Sequence, residues 1–271
     1  GTDRSSPRSY YQNMNQIADD LSIVRGGDRA VADVRIEQPK DPNFQPTAEH
    51  KNRMQSAARG GNPFNLNGIR ERVSVNITDV RDPHAMAYLI RGQEYLFNLA
   101  GQTSHLDSMT DPKTDLDINA AAQLAILETC RQHNPAIKIV FASTRQLYGK
   151  PEYLPVDEKH PIRPVDVNGI NKLAGEWYHL LYDDVYGVRA CALRLTNTYG
   201  PGMRVKDARQ TFLGIWIRCV LEGKPFEVWG GEQLRALTYV DDVSDAFIRA
   251  AECPAAHGKI FNIGGPPPAS L

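Results

Sequence analysis

From about residue 59 onward, the sequence alternates between short apolar runs and longer segments in which apolar residues recur at helical spacing. The runs YLFNL (95–99) and KIVFAST (138–144) are typical of buried strands. The segments 115–133 and 168–186 are typical of amphipathic helices. Strands that are joined through helices cannot pair as tight hairpins, so they favour a parallel arrangement. This alternation predicts an α/β fold with a mainly parallel sheet.

Composition excludes several classes of protein. The chain has 271 residues, of which 41% are hydrophobic and 23% are charged, and its formal net charge is −1. These values predict one large globular domain, or a domain with a lobe, and argue against non-specific binding to nucleic acid. We expect no membrane partner, because no run of about 18 apolar residues occurs. The cysteines lack CxxC spacing and histidine partners, so we predict no metal site and a cytoplasmic protein.

The first 58 residues do not follow the alternating pattern. Short apolar runs flank a Gly-Gly pair within residues 21–37, so a β-hairpin is predicted there, and the rest of residues 1–58 is predicted to be loop. The spacing of the predicted elements changes again after Pro201. We therefore predict an α/β domain at residues 59–200 and a smaller lobe at residues 201–271.

A glycine-rich turn is missing from the N-terminal part of the sequence. In a dinucleotide-binding βαβ unit this turn joins the first strand to the first helix, because only glycine lets the backbone approach the pyrophosphate. Gly26-Gly27 and Gly60-Gly61 lack a preceding buried strand and a third glycine, so plain turns are predicted there. The first strand is central in the order 3-2-1-4-5-6. We therefore predict a Rossmann-like sheet that is incomplete or rebuilt at its N-terminal part, with the gap filled by the 21–37 hairpin, by a partner chain or by direct pairing of other strands.

Several short motifs follow one another in a specific order. They are Asp79-Val80 after a strand, Asn98-Leu99-Ala100-Gly101-Gln102, Asn119 within a helix, Ser143-Thr144 with Tyr148-Gly149, Lys172 with Glu176, the run RLTNTYGP (194–201), and Arg235 with the run YVDDV (239–243). In this order they resemble the extended short-chain dehydrogenase/reductase family of NAD-dependent sugar-nucleotide epimerases and dehydratases, over roughly residues 59–271.

This resemblance implies NAD or NADP as the cofactor and a nucleotide sugar, or another glycosyl small molecule, as the ligand. It implies a homodimer formed through the helices at 115–133 and 168–186. It also implies that residues 201–271 form the substrate-binding lobe, which stops here at PPPASL where family members continue into further helices.

Catalysis in this family uses a tyrosinate whose pKa is lowered by a nearby lysine and which removes a sugar hydroxyl proton while hydride leaves to nicotinamide. By resemblance, Thr144 is the hydroxyl that holds the sugar oxygen and Lys172 is the lysine. Asn168 stands where the family has the tyrosine, and an amide cannot take up a proton, so Tyr148 becomes a candidate surrogate. Two structural alternatives stay open: a surface Lys172 paired with Glu176, and a Thr144 hydroxyl that only satisfies backbone groups at a strand end.

The resemblance also implies which residues bind ligands. The substrate-binding candidates are Gln102, Asn197, Arg204 and Arg235. The cofactor-binding candidates are Asp79, Val80, Ala100, Gly101 and Asn119. The guanidinium of Arg235 suits a diphosphate, because its planar fork offers paired donors to phosphate oxygens. Ala236 follows it where the family usually has aspartate, so we expect weakened phosphate binding.

Three functions are compatible with this pattern. The first is a sugar-nucleotide epimerase or dehydratase whose NAD(P) redox chemistry is impaired or absent, and we adopt it as the leading hypothesis. The second is a cofactor-independent hydrolase of glycosidic or ester bonds on the same cleft, for which Asp107, Asp166 and Glu158 are candidate carboxylates. The third is a non-catalytic relic that binds sugar nucleotides.

Overall fold

The computed structural model describes residues 22–26, 29–33, 73–76, 78–203, 205, 212–228, 231–265 and 268–270. Its strands are β1 (Ser22–Gly26), β2 (Arg29–Asp33), β3 (Val73–Asn76), β4 (Tyr95–Asn98), β5 (Lys138–Thr144), β6 (Ala190–Leu195), β7 (Asn197–Tyr199), β8 (Leu234–Arg235), β9 (Leu237–Tyr239), β10 (Ile260–Ile263) and β11 (Ala269–Ser270). Its α-helices are α1 (Pro83–Ile90), α2 (His105–Thr110), α3 (Pro112–Leu116), α4 (Ala122–His133), α5 (Val167–Tyr186), α6 (Phe212–Leu221) and α7 (Val240–Glu252). A π-helical turn lies at Asp117–Ala121, and 3-10 turns lie at Arg145–Tyr148 and Pro254–Ala256.

The main sheet has seven strands in the order β10-β6-β5-β4-β1-β2-β3. Neighbouring strands are parallel except on the two sides of β1, which is antiparallel to β4 and to β2. Strands β4, β5 and β6 are separated along the chain by helices, as parallel pairing requires. The predicted α/β, Rossmann-like and mainly parallel sheet is therefore confirmed.

The predicted hairpin lies inside the main sheet and fills the gap beside β4. Ser22 is the partner of Asn98 and Arg25 is the partner of Tyr95, so β1 runs from the carboxyl-terminal end of β4 towards its amino-terminal end. Strand β2 then pairs in parallel with β3. In the dinucleotide-binding fold the strand order is 3-2-1-4-5-6. Here β2 takes the place of strand 2 and β1 takes the place of strand 1. Strand β1 runs in the direction opposite to that of strand 1 in that fold. Residues 1–21, 27–28 and 34–58 of the predicted N-terminal segment, and the Gly60-Gly61 pair, lie outside the described residues.

The predicted boundary at residue 200 does not separate the elements of the sheet. Strand β10 pairs in parallel with β6, with Ile260 opposite Ala192. The buried side chains of Phe247 and Ile248 on α7 pack into the same core as Val140 of β5. Helix α7 and strand β10 therefore belong to the main domain, while the two-stranded sheets β7-β9 and β8-β11 form the described strands of the smaller lobe.

Each face of the sheet carries its own core, because successive strand residues point to opposite faces. Val140 and Cys191 face the core that α7 covers. Their chain neighbours Ile139 and Ala190 belong to the opposite core, which also contains buried residues of α1, α4 and α5, namely Met86, Leu89, Ile90, Ile126, Leu127, Cys130 and Tyr182. No helix in the described part of the chain is long and apolar enough to cross a membrane.

Helix α5 has the predicted bounds, and both of its ends are capped. Asp166 caps its start, since the carboxylate Oδ1 accepts a hydrogen bond of 2.6 Å from the Gly169 amide. Gly187 ends it in the left-handed conformation, at φ 66°. The predicted helix at 115–133 differs from the structure, because the π-helical turn at Asp117–Ala121 separates α3 from α4. This turn positions Asn119, as described below.

A buried histidine on α5 is held in its neutral form. His179 stacks on Phe141 at a ring distance of 4.3 Å, and its Nδ1 lies 2.7 Å from the carbonyl of Gly175. Since a carbonyl only accepts, Nδ1 carries the proton and Nε2 faces the Asn98 amide nitrogen at 3.3 Å as an acceptor. Burial lowers the pKa of His179 to about 4, against the opposing hydrogen bond to Gly175, and the Lys172 ammonium lowers it further.

We predict that His179 makes the protein less stable as the pH falls below 6.5. The unfolded chain takes up the proton near the ordinary pKa of 6.5, whereas the folded chain does so only near 4. The stabilisation is therefore complete above pH 6.5 and is lost towards pH 4, by about 3 kcal/mol. Urea unfolding at several pH values measures this loss. The His179→Phe variant keeps an aromatic ring on Phe141 but has no group that titrates. Over the same pH range its free energy of unfolding should fall by about 3 kcal/mol less than that of the wild type. An equal fall in both proteins would contradict the assignment.

Candidate functional site

The predicted site residues of the main domain gather at one edge of the sheet. Strands β4, β5 and β6 are parallel, so their carboxyl-terminal ends meet at the same edge. Gln102 follows β4, Thr144 ends β5, and Asn197 follows β6. In open α/β sheets this edge is where ligands bind.

The segment after β4 is held by two asparagines. Asn119 clamps the peptide of Gln102, because its Oδ1 accepts from the Gln102 amide at 3.1 Å and its Nδ2 donates to the Gln102 carbonyl at 2.9 Å. Asn168 Nδ2 donates to the same carbonyl at 2.6 Å. Three residues that the sequence assigned to substrate, cofactor and catalysis therefore meet in one hydrogen-bonded group.

Asn168 is buried and connects helix α5 to the loop after β4 and to Asp115. Its side chain is 2% exposed, and its Nδ2 donates to the Asp115 carboxylate at 3.0 Å as well as to the Gln102 carbonyl. Asn171, one turn away, donates to the other oxygen of Asp115 at 2.8 Å. Both amide hydrogens of Asn168 are thus committed to holding α5 against the loop after β4. The amide has no proton to exchange, so this position stabilises the site without acid or base chemistry.

Lys172 is buried, so the alternative of a surface lysine is wrong. It is 5% exposed, its Nζ donates to the Ala142 carbonyl at 3.2 Å, and it lies 5.0 Å from the centre of the Phe141 ring. Gly101 lies against this side chain, because a Cβ at that position would overlap Lys172 Nζ, which would then have to move, and would press on Asn119. Ala100 beside it is part of the core. The Lys172 side chain is therefore packed closely against the segment that contains Gly101.

A buried ion pair organises the end of β5. Arg194 and Glu176 are 1% and 0% exposed, and the guanidinium binds both carboxylate oxygens, at 2.6 and 3.0 Å. Ser143 donates to the same carboxylate at 2.6 Å. Burial alone would lower the pKa of Arg194, but the Glu176 carboxylate and the Tyr148 hydroxyl raise it overall. The predicted partner of Glu176 was Lys172, four residues earlier on α5, and Arg194 of β6 takes that place.

Tyr148 belongs to the same network. Its hydroxyl accepts from Arg194 Nη1 at 2.6 Å and donates to Asn262 Oδ1 at 2.6 Å, and the residue is 4% exposed. The hydroxyl links β6 to β10 through these bonds. This arrangement argues against the predicted surrogate role, because an acid or base must reach the proton that it transfers.

Thr144 performs the structural task that the sequence left open as an alternative. Its Oγ1 accepts from the Gln146 amide at 3.2 Å and so caps the 3-10 turn at Arg145–Tyr148. The residue is half-buried at the edge of the sheet. Its hydroxyl hydrogen stays available for a sugar oxygen, so the cap is compatible with ligand binding.

Asn197 is within hydrogen-bond distance of Arg145, a residue that the sequence motifs did not single out. Arg145 Nη2 lies 3.3 Å from Asn197 Oδ1, and Arg235 donates to Gln233 Oε1. Arg145 directly follows the hydroxyl pair Ser143-Thr144 at the end of a buried strand, and this position is the sequence signal that could have identified it. Arg204, the fourth substrate-binding candidate, lies outside the described residues.

Two cofactor-binding candidates lie away from this group. Asp79 binds the Arg81 guanidinium at 2.6 Å, and Val80 is buried in the core that contains Met86. Both follow β3, which two strands separate from β4. The structure thus places Ala100, Gly101 and Asn119 together and leaves Asp79 and Val80 apart from them.

Two of the three candidate carboxylates of the hydrolase hypothesis, those of Asp166 and Glu158, accept hydrogen bonds from backbone amides. Asp166 caps α5, and Glu158 accepts from the backbone amide of Asn262 at 2.6 Å. Asp107 lies in the first turn of α2, whose start Ser104 caps. These carboxylates belong to three different segments. In the described residues, no group of acidic, histidine and cysteine side chains could hold a metal ion.

Comparison with known proteins gives consistent results. The family model of the NAD dependent epimerase/dehydratase family matches residues 47–264. A putative UDP-glucose 4-epimerase of Methanocaldococcus jannaschii is 35% identical over 206 residues, which cover 75% of this chain and 65% of that protein. This chain therefore spans just under two-thirds of that relative's length.

Solved structures with the same fold include two that are similar in sequence. UDP-glucose 4-epimerase of Thermotoga maritima with UDP-glucose has a TM-score of 0.71 and 29% identity, covering 79% of this chain and 68% of that one. MoeE5 in complex with UDP-glucose and NAD has a TM-score of 0.66 and 28% identity, covering 73% of this chain and 65% of that one.

We predict that removing one partner of the Arg194–Glu176 pair destabilises the protein more than removing both partners. Arg194→Met leaves a buried carboxylate without its cation, so the free energy of unfolding should fall by about 3–5 kcal/mol. The double variant Arg194→Met/Glu176→Leu removes both charges and should recover most of this loss. Denaturant unfolding measures both. If the single variant loses less than the double one, the ion pair does not hold this edge together.

Proposed function

Because the chain belongs to the NAD-dependent epimerase/dehydratase family, we propose that it is a sugar-nucleotide epimerase/dehydratase-like protein whose redox chemistry with NAD(P) is impaired or absent. The observation that carries this proposal is the reversed strand β1 in the central place of the sheet. The proposal has four parts: the cofactor, the proton acceptor, the ligand and the homodimer.

The described residues do not fit the pyrophosphate of a dinucleotide. In the dinucleotide-binding fold the first strand ends at the carboxyl-terminal edge and enters a glycine-rich turn and a helix there. Here β1 pairs Arg25 with Tyr95, so it ends at the opposite edge. Gly101 and Asn119 are packed against Lys172, and Asp79 binds Arg81.

The described residues also lack an accessible proton acceptor at the position where the family has tyrosine. Asn168 cannot titrate, and both of its amide hydrogens are used. The Tyr148 hydroxyl is bound between Arg194 and Asn262. General-base catalysis typically contributes 10²–10⁴-fold, so its loss alone would make turnover very slow.

Binding of a sugar nucleotide is supported by the other side of the cleft. Thr144 offers a hydroxyl at the end of β5, and Asn197 and Arg235, on the paired strands β7-β9 and on β8, carry an amide and a guanidinium that can donate to a ligand. The relatives with 28–35% identity include proteins named for UDP-glucose or solved with it. We expect this chain to bind the same class of ligand. The hydrolase hypothesis stays a prediction without a specific supporting contact.

A homodimer through α3, α4 and α5 is part of the proposal. One face of α5 exposes Ile170, Trp177, Leu181 and Val185, which are between 49% and 56% accessible. Leu116 on α3 and Leu124 on α4 add to this apolar surface. Large side chains repeated on neighbouring helices favour association with the same face of a second copy, because such a contact is self-complementary.

We predict that Trp177→Asp makes the protein monomeric, since a charge in the centre of this face would have to be buried in the dimer. Sedimentation velocity measures the mass in solution. Leu154→Asp is the matched control: Leu154 is 70% exposed but lies outside these helices, so its variant should remain dimeric. A wild-type monomer at all concentrations would refute the dimer.

For the ligand, we predict that UDP-glucose binds with a saturable heat signal in calorimetry, while NAD+ and NADH show none at millimolar concentration. Arg235→Gln should weaken binding of UDP-glucose, because it removes a charged donor from the phosphate. Saturable binding of NAD+ would refute the impaired cofactor site.

The Asn168→Tyr variant separates the two proposed defects. If the cofactor site is absent, adding the tyrosine yields no epimerisation of UDP-glucose, even with excess NAD+. Appearance of epimerase activity in this variant would show that the substitution alone was responsible.

A further inference from the structure

A buried chain of hydrogen bonds connects the end of β4 to two helices. Its members are Asn98, the last residue of β4, Gln123 of α4 and His179 of α5, and each of them is 0% exposed. Asn98 Nδ2 donates to Gln123 Oε1 at 2.7 Å and lies 3.3 Å from His179 Nε2. The strand end that leads into the candidate site is therefore held by polar groups that are withdrawn from solvent.

The side-chain amide of Gln123 connects two backbone segments of the candidate site. Its Nε2 donates to the Ala100 carbonyl at 3.2 Å and to the Ile118 carbonyl at 3.1 Å. A carbonyl only accepts, so these two contacts determine which end of the amide carries the hydrogens. Ala100 leads directly into Gly101-Gln102, and Ile118 directly precedes Asn119 in the π-helical turn. One nitrogen is thus bonded both to the segment that carries Gln102 and to the turn that carries Asn119.

These two contacts and the clamp on Gln102 depend on the same distance. Asn119 binds the backbone amide and the carbonyl of Gln102 at 3.1 and 2.9 Å, while Gln123 binds the residue before Asn119 and the segment before Gln102. N–H···O bonds have donor–acceptor distances of about 2.7–3.2 Å, so a displacement of ~1 Å between the turn and the segment would break the clamp. The contacts of Gln123 prevent that displacement.

Close packing leaves this buried network one arrangement. A Cβ on Gly175 of α5 would lie 2.8 Å from the Asn119 carbonyl and 3.2 Å from Gln123 Cγ, so the helices approach closely at this glycine. In the described part of the chain, every buried side-chain nitrogen and oxygen of Asn98, Gln123 and His179 has a hydrogen-bond partner. A buried polar network in which every group is satisfied is rigid and specifies a single geometry.

We propose that Gln123 is a positioning residue of the candidate ligand site. Because it is fully buried, it acts through Gln102 and Asn119 and does not touch a ligand itself. By holding the Ala100 and Ile118 carbonyls, it keeps the clamp on Gln102 closed and so fixes the polar groups that this segment presents at the edge of the sheet. That the ligand is a sugar nucleotide rests on the proposed function, whereas the position of the segment does not.

The first measurement is hydrogen exchange of the Gln102 backbone amide, followed by NMR. Gln123→Met keeps the length of the side chain and removes its donor, so exchange should become about 10–100-fold faster, as expected when two buried hydrogen bonds are lost. Thr129→Val is the matched control, because it removes a buried hydroxyl that donates to the Ala125 carbonyl within the same helix. It should lower the global stability in urea but leave the exchange rate of Gln102 unchanged.

The outcome of the exchange experiment is decisive in the variants and in the wild type. Exchange that is unchanged in Gln123→Met, or accelerated equally in both variants, would overturn the positioning role, because Gln123 would then contribute only to global stability. The wild type provides a check that does not require either variant to fold. Its Gln102 amide should be protected, and exchange at the rate of an unstructured peptide would show that the segment is not held.

Calorimetry with UDP-glucose separates this inference from the proposed function. If the wild type binds UDP-glucose, Gln123→Met should weaken that binding by about 10–100-fold while Thr129→Val binds like the wild type. Wild-type affinity in Gln123→Met would overturn the positioning of the ligand site. If the wild type binds no UDP-glucose but the exchange of Gln102 responds to Gln123→Met alone, the positioning role stands and the proposed function fails.

Discussion

The carboxyl-terminal edge of strands β5 and β6, where the candidate site lies, depends on one buried ion pair, between Arg194 and Glu176. Both groups are withdrawn from water, which is tolerable only because Ser143 and Tyr148 satisfy the remaining hydrogen bonds. Through these bonds, β5, β6, β10 and α5 are fixed to one another at their common edge. Thr144 emerges directly from that junction, so the position of this proposed ligand contact follows from charge pairing in the core.

Local patterns predicted the elements that pack locally and failed where distant residues meet. The parallel half of the sheet was predictable, because buried strands and amphipathic helices each have a recognisable period. The hairpin was also predictable, but its pairing with β4 and β3 was not, since register between distant strands leaves little trace in sequence. The return of β10 across the predicted boundary at residue 200 to pair with β6 was not predictable, for the same reason.

For the site residues too, the residue types were predictable from local sequence, and the contacts between distant segments were not. The spacing of Lys172 and Glu176 predicted a contact along α5, but tertiary contacts with Ala142 and Arg194 prevail because these side chains face the sheet. The amide of Asn168 predicted that this residue cannot act as a base, while its hydrogen bond to the Gln102 carbonyl required the folded position of Gln102. Candidate ligand-binding residues on the lobe side could be named by motif, whereas the direction of β1 beside β4 could not.

Strand β1 runs antiparallel to β4, in the place that the first strand takes in the dinucleotide-binding fold. Directly opposite residues in such a pair have Cα atoms about 4.5–5.5 Å apart, within the range that a disulfide spans. In a chain whose exposed Cys253 is replaced by serine, oxidation should cross-link Arg25→Cys with Tyr95→Cys, because these positions are partners. Ser22→Cys should not cross-link with Tyr95→Cys. Cross-linking of the second pair and not the first would contradict the antiparallel strand, and with it the proposed loss of the cofactor site.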